Sequence, residues 1–174
     1  MLALAQFGLY LLLGGQADFS CANCLLAAPI TALFAGGNEE PGWRGFALPK
    51  MLTSISPLAA SLVIGVLWAA WHIPLFFSQA WLGSMPFAWF LLYTVFLSTI
   101  MSWLYLKSSG SVLPVMLFHQ ATNHVWNYFP MGTDVLPTTE DWLVMKTLVY
   151  RIAALIILIT TRGQLGFTAH DKSG

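Results

Sequence analysis

The sequence predicts an all-α fold, a polytopic bundle of transmembrane helices with about five spans and a short apolar segment at its N-terminus. Composition is the first reason. Of 174 residues, 57% are hydrophobic and only 8% are charged, and the mean hydropathy is +0.72. A soluble domain of this size could not cover so much apolar surface. The second reason is that the apolar residues form long runs separated by glycine, proline and charged residues.

These runs predict the order of the elements. The first, residues 1–13, is shorter than the roughly 20 residues that a spanning helix needs, and it lacks the basic start of a signal peptide. The predicted spans are residues 19–36, 56–77, 87–106, 112–129 and 142–161. We therefore expect an integral, multi-pass membrane protein in contact with the lipid bilayer. The sequence carries no signal for an oligomeric state.

Charge excludes one class of partner and predicts an orientation. Seven acidic and seven basic residues give a net charge of zero, so no basic face exists for nucleic acid. The loops on one side of the predicted bundle carry the basic residues, and by the positive-inside rule this side is predicted to be cytoplasmic. The basic residues of that side are Lys50, Lys107, Arg162 and Lys172, and the acidic residues of the other side are Asp134, Glu140 and Asp141.

Two basic residues fall inside the last apolar run. Lys146 lies near its start and Arg151 near its middle. Lys146 is expected to extend its long side chain to the membrane interface. For Arg151 we expect either a carboxylate partner or a distorted, shorter span.

Two adjacent carboxylates, Glu39 and Glu40, lie beside an apolar run, with Arg44 close behind. Burial of a bare charge is costly, so each carboxylate requires a partner or a water-filled cavity. Asn38 is predicted to cap a new helical turn, in which Pro41 is tolerated because first-turn residues have no intrahelical bond to lose. A break or bend is therefore expected between residues 36 and 41.

Helical geometry separates the two carboxylates. Glu40 and Arg44 are four residues apart and share one face, whereas Glu39 projects about 100° away. The sequence therefore predicts that Glu40 is salt-bridged and that Glu39 is available for chemistry.

Other polar residues lie within the predicted spans. His72 is the only ionisable residue of its span, and Pro74 is expected to distort the helix beside it. His119 and Asn123 are four residues apart, so their side chains point at the same volume. Taken singly, such residues usually form hydrogen bonds between helices.

The motifs together point to a family. Glu-Glu-x-x-x-Arg ends at Arg44, an aromatic-x-x-x-His motif runs from Trp68 to His72, and His-x-x-x-Asn runs from His119 to Asn123. This order resembles the CAAX-protease and bacteriocin-processing (CPBP, Abi) family of intramembrane proteases, relatives of the type II CAAX prenyl endopeptidases. The resemblance covers roughly residues 36–127 and implies a protein of the bacterial cytoplasmic membrane. The second motif begins with tryptophan where phenylalanine is common.

The resemblance implies a helical bundle whose motif residues converge on a cavity open to water. Peptide hydrolysis requires a base that activates water and donors that stabilise the oxyanion. By analogy with the family, Glu39 would activate water with the help of His72, and His119 and Asn123 would stabilise the oxyanion. Arg44 would hold Glu40 and shape the site.

Cofactor use is open at this stage. Glu39, His72 and His119 could form a His₂Glu zinc site with water in the fourth position. However, the chain has no HExxH motif, and the resemblance implies that a metal-free glutamate mechanism is at least as reasonable. Both a divalent metal such as zinc and no cofactor remain open.

The leading hypothesis is an intramembrane endopeptidase that acts on a peptide or membrane-protein substrate. A bacteriocin-type peptide, a membrane protein or a self-immunity role is expected in preference to a prenylated substrate. The alternative is a non-catalytic immunity or scaffold protein that retains the motif. A transporter or proton relay is disfavoured because no second copy of the motif suggests two repeated halves.

Residues 1–174 are expected to form one protease domain with a motif-bearing core at about 36–127. Family members usually have more spans before the glutamate pair, which leaves two interpretations, a fragment or a minimal version. If the site is real, Glu39, His72, His119 and Asn123 must share one cavity. Counted from the predicted span starts, the two histidines differ in depth by roughly 10 Å.

Overall fold

The computed structural model describes residues 8–16, 36–78, 85–124, 134–135 and 137–167. All regular secondary structure within these ranges is helical, which confirms the predicted all-α class. The predicted span at residues 19–36 lies almost wholly outside the described residues. The end of the predicted span at residues 112–129 also lies outside them.

The glutamate pair lies on a helix, α1, whose hydrogen-bond register changes along its length. Its four consecutive parts are a 3₁₀ turn at Gly37–Glu39, an α turn at Glu40–Gly42, a π turn at Trp43–Ala47 and an α turn at Leu48–Leu52. Pro49 explains the π turn, because it has no N–H for the Gly45 carbonyl and its ring would clash there in an α register. Leu48 N–H donates instead to the Trp43 carbonyl, as in a π-bulge.

Gly36, not Asn38, precedes the first turn of α1. Gly36 is the N-cap residue, with φ 60° and no side-chain cap, a left-handed backbone that favours glycine. The predicted capping by Asn38 is therefore wrong, because this residue lies inside the 3₁₀ turn. Pro41 lies in the first turn of the α part, as expected. The predicted break falls at Gly36.

Long helices follow α1. Helix α2, Pro57–Trp71, starts where Ser56 Oγ accepts a hydrogen bond from Ala59 N–H, and it ends at His72. Pro74 lies in the first turn of a short helix, α3, so the expected distortion beside His72 is present. The remaining bounds are Ile73–Phe77 for α3, Phe87–Lys107 for α4, Leu113–His124 for α5 and Thr139–Thr161 for α6.

Three described helical segments are long and apolar enough to cross a membrane. They are Pro57–Phe77, Phe87–Lys107 and Thr139–Thr161, close to the predicted spans at residues 56–77, 87–106 and 142–161. Helix α4 lies in the middle and packs most extensively against α2 and α6. Gly65 allows close approach of α2 to α4, because a Cβ there would lie 2.7 Å from Val95 Cα.

The helix ends that carry basic residues lie together. A Cβ at Gly166 would lie 2.9 Å from Lys107 Cε, and a Cβ at Gly163 would lie 3.7 Å from Leu58 Cδ2 at the start of α2, so these backbone segments are close to both residues. Phe167 packs on a cluster that contains Leu48, two residues before Lys50. The grouping of Lys50, Lys107 and Arg162 agrees with the predicted common side, whereas Lys172 lies outside the described residues. The assignment of that side to the cytoplasm stays a prediction.

The two basic residues of α6 differ from expectation. Lys146 is 2% exposed, and its Nζ lies 4.4 Å from the ring centroid of Tyr93 and 4.5 Å from that of Trp142. Its predicted extension to the interface is therefore wrong, because these rings and the Thr122 carbonyl, at 3.2 Å, bind the ammonium inside the bundle. Arg151 is exposed on an unbroken α6. Neither the carboxylate partner nor the distorted, shorter span expected for Arg151 appears in the described part of the chain.

Candidate active site

Glu40 and Arg44 form a buried ion pair within α1. Arg44 Nη1 donates to Oε1 and Oε2 of Glu40 at 3.1 and 3.0 Å, and both side chains are fully buried. This is the pair that the four-residue spacing predicts. Burial lowers the pKa of the Arg44 guanidinium, and the Glu40 charge opposes that shift. Arg44 stays charged because a guanidinium is effectively always protonated.

Helix α5 supplies a second partner for Glu40. His119 Nδ1 lies 2.7 Å from Glu40 Oε1, and only 4% of His119 is exposed. The carboxylate is held by Arg44 and can only accept, so His119 Nδ1 carries the hydrogen. This orients the opposite ring nitrogen, Nε2, away from Glu40. The contact joins residues 79 positions apart.

Glu39 has a different environment although it is the next residue. Its side chain is half-buried and lines a cavity. The Trp68 indole Nε1–H donates to Glu39 Oε2 at 2.6 Å. No guanidinium or imidazole of the described residues makes an ion pair with it. Glu39 is therefore the carboxylate that can meet a water molecule or a substrate.

His72 lies at the end of α2, on the same cavity. Its Nδ1 is 2.8 Å from the Trp68 carbonyl oxygen. A carbonyl can only accept, so Nδ1 carries the hydrogen and Nε2 of the neutral ring is left with a lone pair. The ring also contacts Phe90, with 5.4 Å between centroids. His72 is thus oriented by both neighbours and can accept a proton.

The cavity has a volume of about 660 Å³ and is lined by both polar and apolar side chains. The lining residues from α1, α2, α5 and the residues at their ends are Gly36, Glu39, Trp68, His72, His119 and Asn123. The other lining residues are mainly apolar and are Met85, Phe90, Tyr93, Thr94, Leu97, Thr139, Trp142, Leu143 and Lys146. Glu40 and Arg44 do not line it.

The structure thus brings Glu39, His72, His119 and Asn123 to one cavity and places Glu40 and Arg44 behind it. The expected depth difference between the histidines does not keep them apart. Helices α2 and α5 begin within one residue of the predicted starts, so the relative placement of the two helices compensates for it.

Trp68 is the part of this arrangement that sequence reasoning missed, because the motif suggested only an aromatic packing residue. Its ring lies edge-on to His119 and His72, at centroid distances of 5.1 and 5.9 Å. Arg44 Cζ lies 5.2 Å from the ring centroid. The signal was the residue type itself, since tryptophan has an N–H donor and phenylalanine has none.

The described residues do not contain a group of three histidine, cysteine, aspartate or glutamate side chains spaced to hold a metal ion. Glu39, His72 and His119 therefore do not form the His₂Glu arrangement as they are placed here.

Fold and cavity together define a helical protein with a carboxylate- and histidine-lined site between apolar helices. Residues 21–125 match the model of the family described as type II CAAX prenyl endopeptidase Rce1-like. Because this match covers more than half of the chain, the chain belongs to that family. Family membership and the three long apolar helices make it an integral membrane protein.

A curated relative extends the comparison. The chain is 28% identical over 152 residues to CAAX prenyl protease 2 of Methanococcus maripaludis, with 80% of this chain and 52% of the relative covered. The chain thus spans about half the length of that relative. The resemblance to type II CAAX prenyl endopeptidases is confirmed. A bacteriocin-related or immunity role and a bacterial origin stay predictions.

Proposed function

We propose that this chain is a CAAX-type intramembrane endopeptidase that hydrolyses a peptide bond in a membrane-associated peptide or protein. Residues 1–174 would act as one protease domain, with a core at about 36–127. The observation that carries this proposal is the difference in environment between the two adjacent glutamates. Glu40 is neutralised by Arg44 and His119 behind the cavity, whereas Glu39 lines the cavity beside His72.

Water activation is assigned to Glu39 and His72. Glu39 takes a proton from a water molecule as the oxygen of that water attacks the carbonyl carbon of the scissile bond. His72 assists through Nε2, which accepts a hydrogen bond from the same water while Nδ1 remains bound to the Trp68 carbonyl. The proton held by Glu39 then passes to the departing amine nitrogen as the C–N bond breaks. The products are a carboxylic acid and an amine.

Oxyanion stabilisation is assigned to His119 and Asn123. The Asn123 amide is a donor without change of protonation. His119 Nε2 donates only when the ring is doubly protonated, and in that form the Nδ1 side pairs with the Glu40 carboxylate. Glu40 therefore contributes by supporting a positive imidazolium rather than by touching the substrate. Donors fixed before the reaction are worth more than donors that must reorient.

The substrate is proposed from the cavity and the relatives. The apolar part of the cavity lining, which includes Phe90, Leu97 and Leu143, suits a lipid-like or apolar segment next to the scissile bond. The relative's name refers to a prenyl protease, so prenylated C-terminal peptides join the bacteriocin-type and membrane-protein substrates expected from the sequence. All three classes therefore belong in the substrate panel.

The test is cleavage of that panel by the full chain, purified in detergent, in four arms. Wild type is compared with Glu39→Gln and with a matched control, Glu140→Gln, which alters an exposed glutamate at the start of α6. The fourth arm is wild type with a strong chelator. Wild type and the control should cleave, and Glu39→Gln should be at least about 10³-fold slower.

Each outcome decides between stated alternatives. Cleavage that survives chelation but is lost in Glu39→Gln supports the glutamate mechanism. Cleavage lost to the chelator and restored by zinc would make the protein a metalloenzyme. No cleavage of any substrate by protein shown to be folded would favour the immunity or scaffold alternative.

A further inference from the structure

Residue 68 connects both groups assigned to water activation. Its side chain donates a hydrogen bond to Glu39 Oε2 at 2.6 Å, and its carbonyl oxygen accepts one from His72 Nδ1 at 2.8 Å. One residue of α2 thus contacts the base through its indole and the assisting histidine through its backbone.

The indole itself is held in a fixed plane. Trp68 is 3% exposed, Arg44 Cζ lies 5.2 Å from its centroid, and the His119 ring packs edge-on at 5.1 Å. The ion pair behind the cavity therefore also supports the orientation of the indole N–H.

We propose that Trp68 is a positioning residue that orients the Glu39 carboxylate through its indole N–H, so that Oε2 is bound and Oε1 faces the attacking water. This inference rests on the proposed function of Glu39. The hydrogen bond from Trp68 is the one that the described residues donate to the Glu39 side chain. Without it, a half-exposed glutamate would rotate among several rotamers, and ordering it would cost conformational entropy at each turnover.

A hydrogen bond from an indole is also well suited to orienting the Glu39 carboxylate. Hydrogen bonds from a neutral donor to a carboxylate are short and stronger than neutral pairs. Indole supplies a single hydrogen and no acceptor, so it binds one carboxylate oxygen without accepting a proton from it. A phenylalanine at position 68 would keep the aromatic packing but would not bind Glu39.

The substitution Trp68→Phe therefore isolates the proposed role, because the backbone bond to His72 is retained. We expect kcat to fall about 10- to 100-fold, the range for losing an orienting contact, with KM essentially unchanged. Trp71→Phe is the matched control, since Trp71 is on the same helix and is 69% exposed. It should leave both constants unchanged. A Trp68→Phe enzyme with wild-type kcat would overturn the proposal.

A spectroscopic readout tests the bond without cleavage. In protein with ¹⁵N-labelled tryptophan, the Trp68 indole N–H resonance should lie downfield and should move upfield in Glu39→Gln but not in Glu140→Gln. The resonance is assigned by its loss in Trp68→Phe or, if that variant does not fold, by substituting the other tryptophans one at a time. A Trp68 indole N–H resonance that does not shift in Glu39→Gln would contradict the proposed hydrogen bond.

The two readouts separate this inference from the proposed function. If wild type cleaves nothing, the proposed function fails, while the indole shift still reports whether Trp68 binds Glu39. If wild type cleaves and Trp68→Phe has the same kcat, the endopeptidase proposal stands and the positioning role is refuted.

Discussion

Glu39 and Glu40 are neighbours with identical side chains, and the fold gives them opposite environments. Glu40 is fully buried between Arg44 and His119. Glu39 is half-buried, receives one indole hydrogen bond and lines a cavity. The difference arises from the helical rotation of about 100–120° per residue in this part of α1, which turns Glu39 toward the cavity and Glu40 inward. Side-chain chemistry alone does not tell which glutamate is structural, because the position of each along the helix relative to Arg44 and His119 decides it.

The largest expected effect is on activity at Glu39. Glu39→Gln should lower kcat at least about 10³-fold, equivalent to about 4 kcal/mol in the barrier, because an amide cannot accept the proton. The free energy of unfolding should change by less than about 1 kcal/mol, since the amide oxygen still accepts from Trp68. Enzyme assays paired with denaturant melts in detergent measure both quantities. A large loss of stability would break the distinction between the two glutamates.

Glu40 should show the opposite pattern. Glu40→Gln should reduce the free energy of unfolding by about 3–5 kcal/mol, because it leaves the Arg44 guanidinium buried without its carboxylate. The double variant Glu40→Gln with Arg44→Met should recover part of that loss, since no unpaired charge then remains. Denaturant melts of the two variants and wild type provide the measurement. Wild-type stability in Glu40→Gln would contradict the structural role.

Gly36 lines the cavity together with Glu39, so a substitution there tests the cavity side of the comparison between the two glutamates. Gly36→Ala should destabilise the protein by about 1–3 kcal/mol, because a side chain at φ 60° is strained. The added Cβ would also collide with the Asn123 amide and lie 3.4 Å from His119 Nε2. We therefore expect lower kcat as well, measured with the same peptide assay. Gly42→Ala is the control, since nothing lies within 4 Å of a Cβ there.

Lys146 provides a comparison with Glu40, because it carries a second buried charge whose removal is expected to cost less stability. Its ammonium lies against two aromatic rings and a carbonyl oxygen. Lys146→Met removes the charge and keeps most of the volume, so the unfolding free energy should fall by no more than about 2 kcal/mol. Thermal melts of this variant beside Glu40→Gln make the comparison. A larger loss from Lys146→Met would reverse the expected order.

The fold and part of the site follow from sequence for identifiable reasons. The Glu40–Arg44 pair is a local property of one helix, so its spacing predicts it. The bounds of α2, α4 and α6 follow from apolar run length together with capping residues such as Ser56 and from prolines.

Contacts between distant segments are different. Spacing did not predict the bond between Glu40 and His119, and only the family resemblance placed them in one site. Lys146 was misassigned because a hydropathy pattern does not show that Tyr93 and Trp142 form a binding surface for its ammonium. The Asn38 cap failed because the first turn of α1 begins at Gly37, after Gly36, where positive φ and the close approach of Asn123 and His119 leave no room for a side chain.

The ion pair within α1 also bears on how the protein is made. Glu40 and Arg44 are on consecutive turns, so they can neutralise one another as soon as this segment is helical. A charged group buried without a partner is costly, and a pair formed on one helix avoids that cost. His119 is synthesised 79 residues after Glu40. Glu40 and Arg44 can therefore compensate each other's charge while translation continues, and the histidine joins them only when the later helices have arrived.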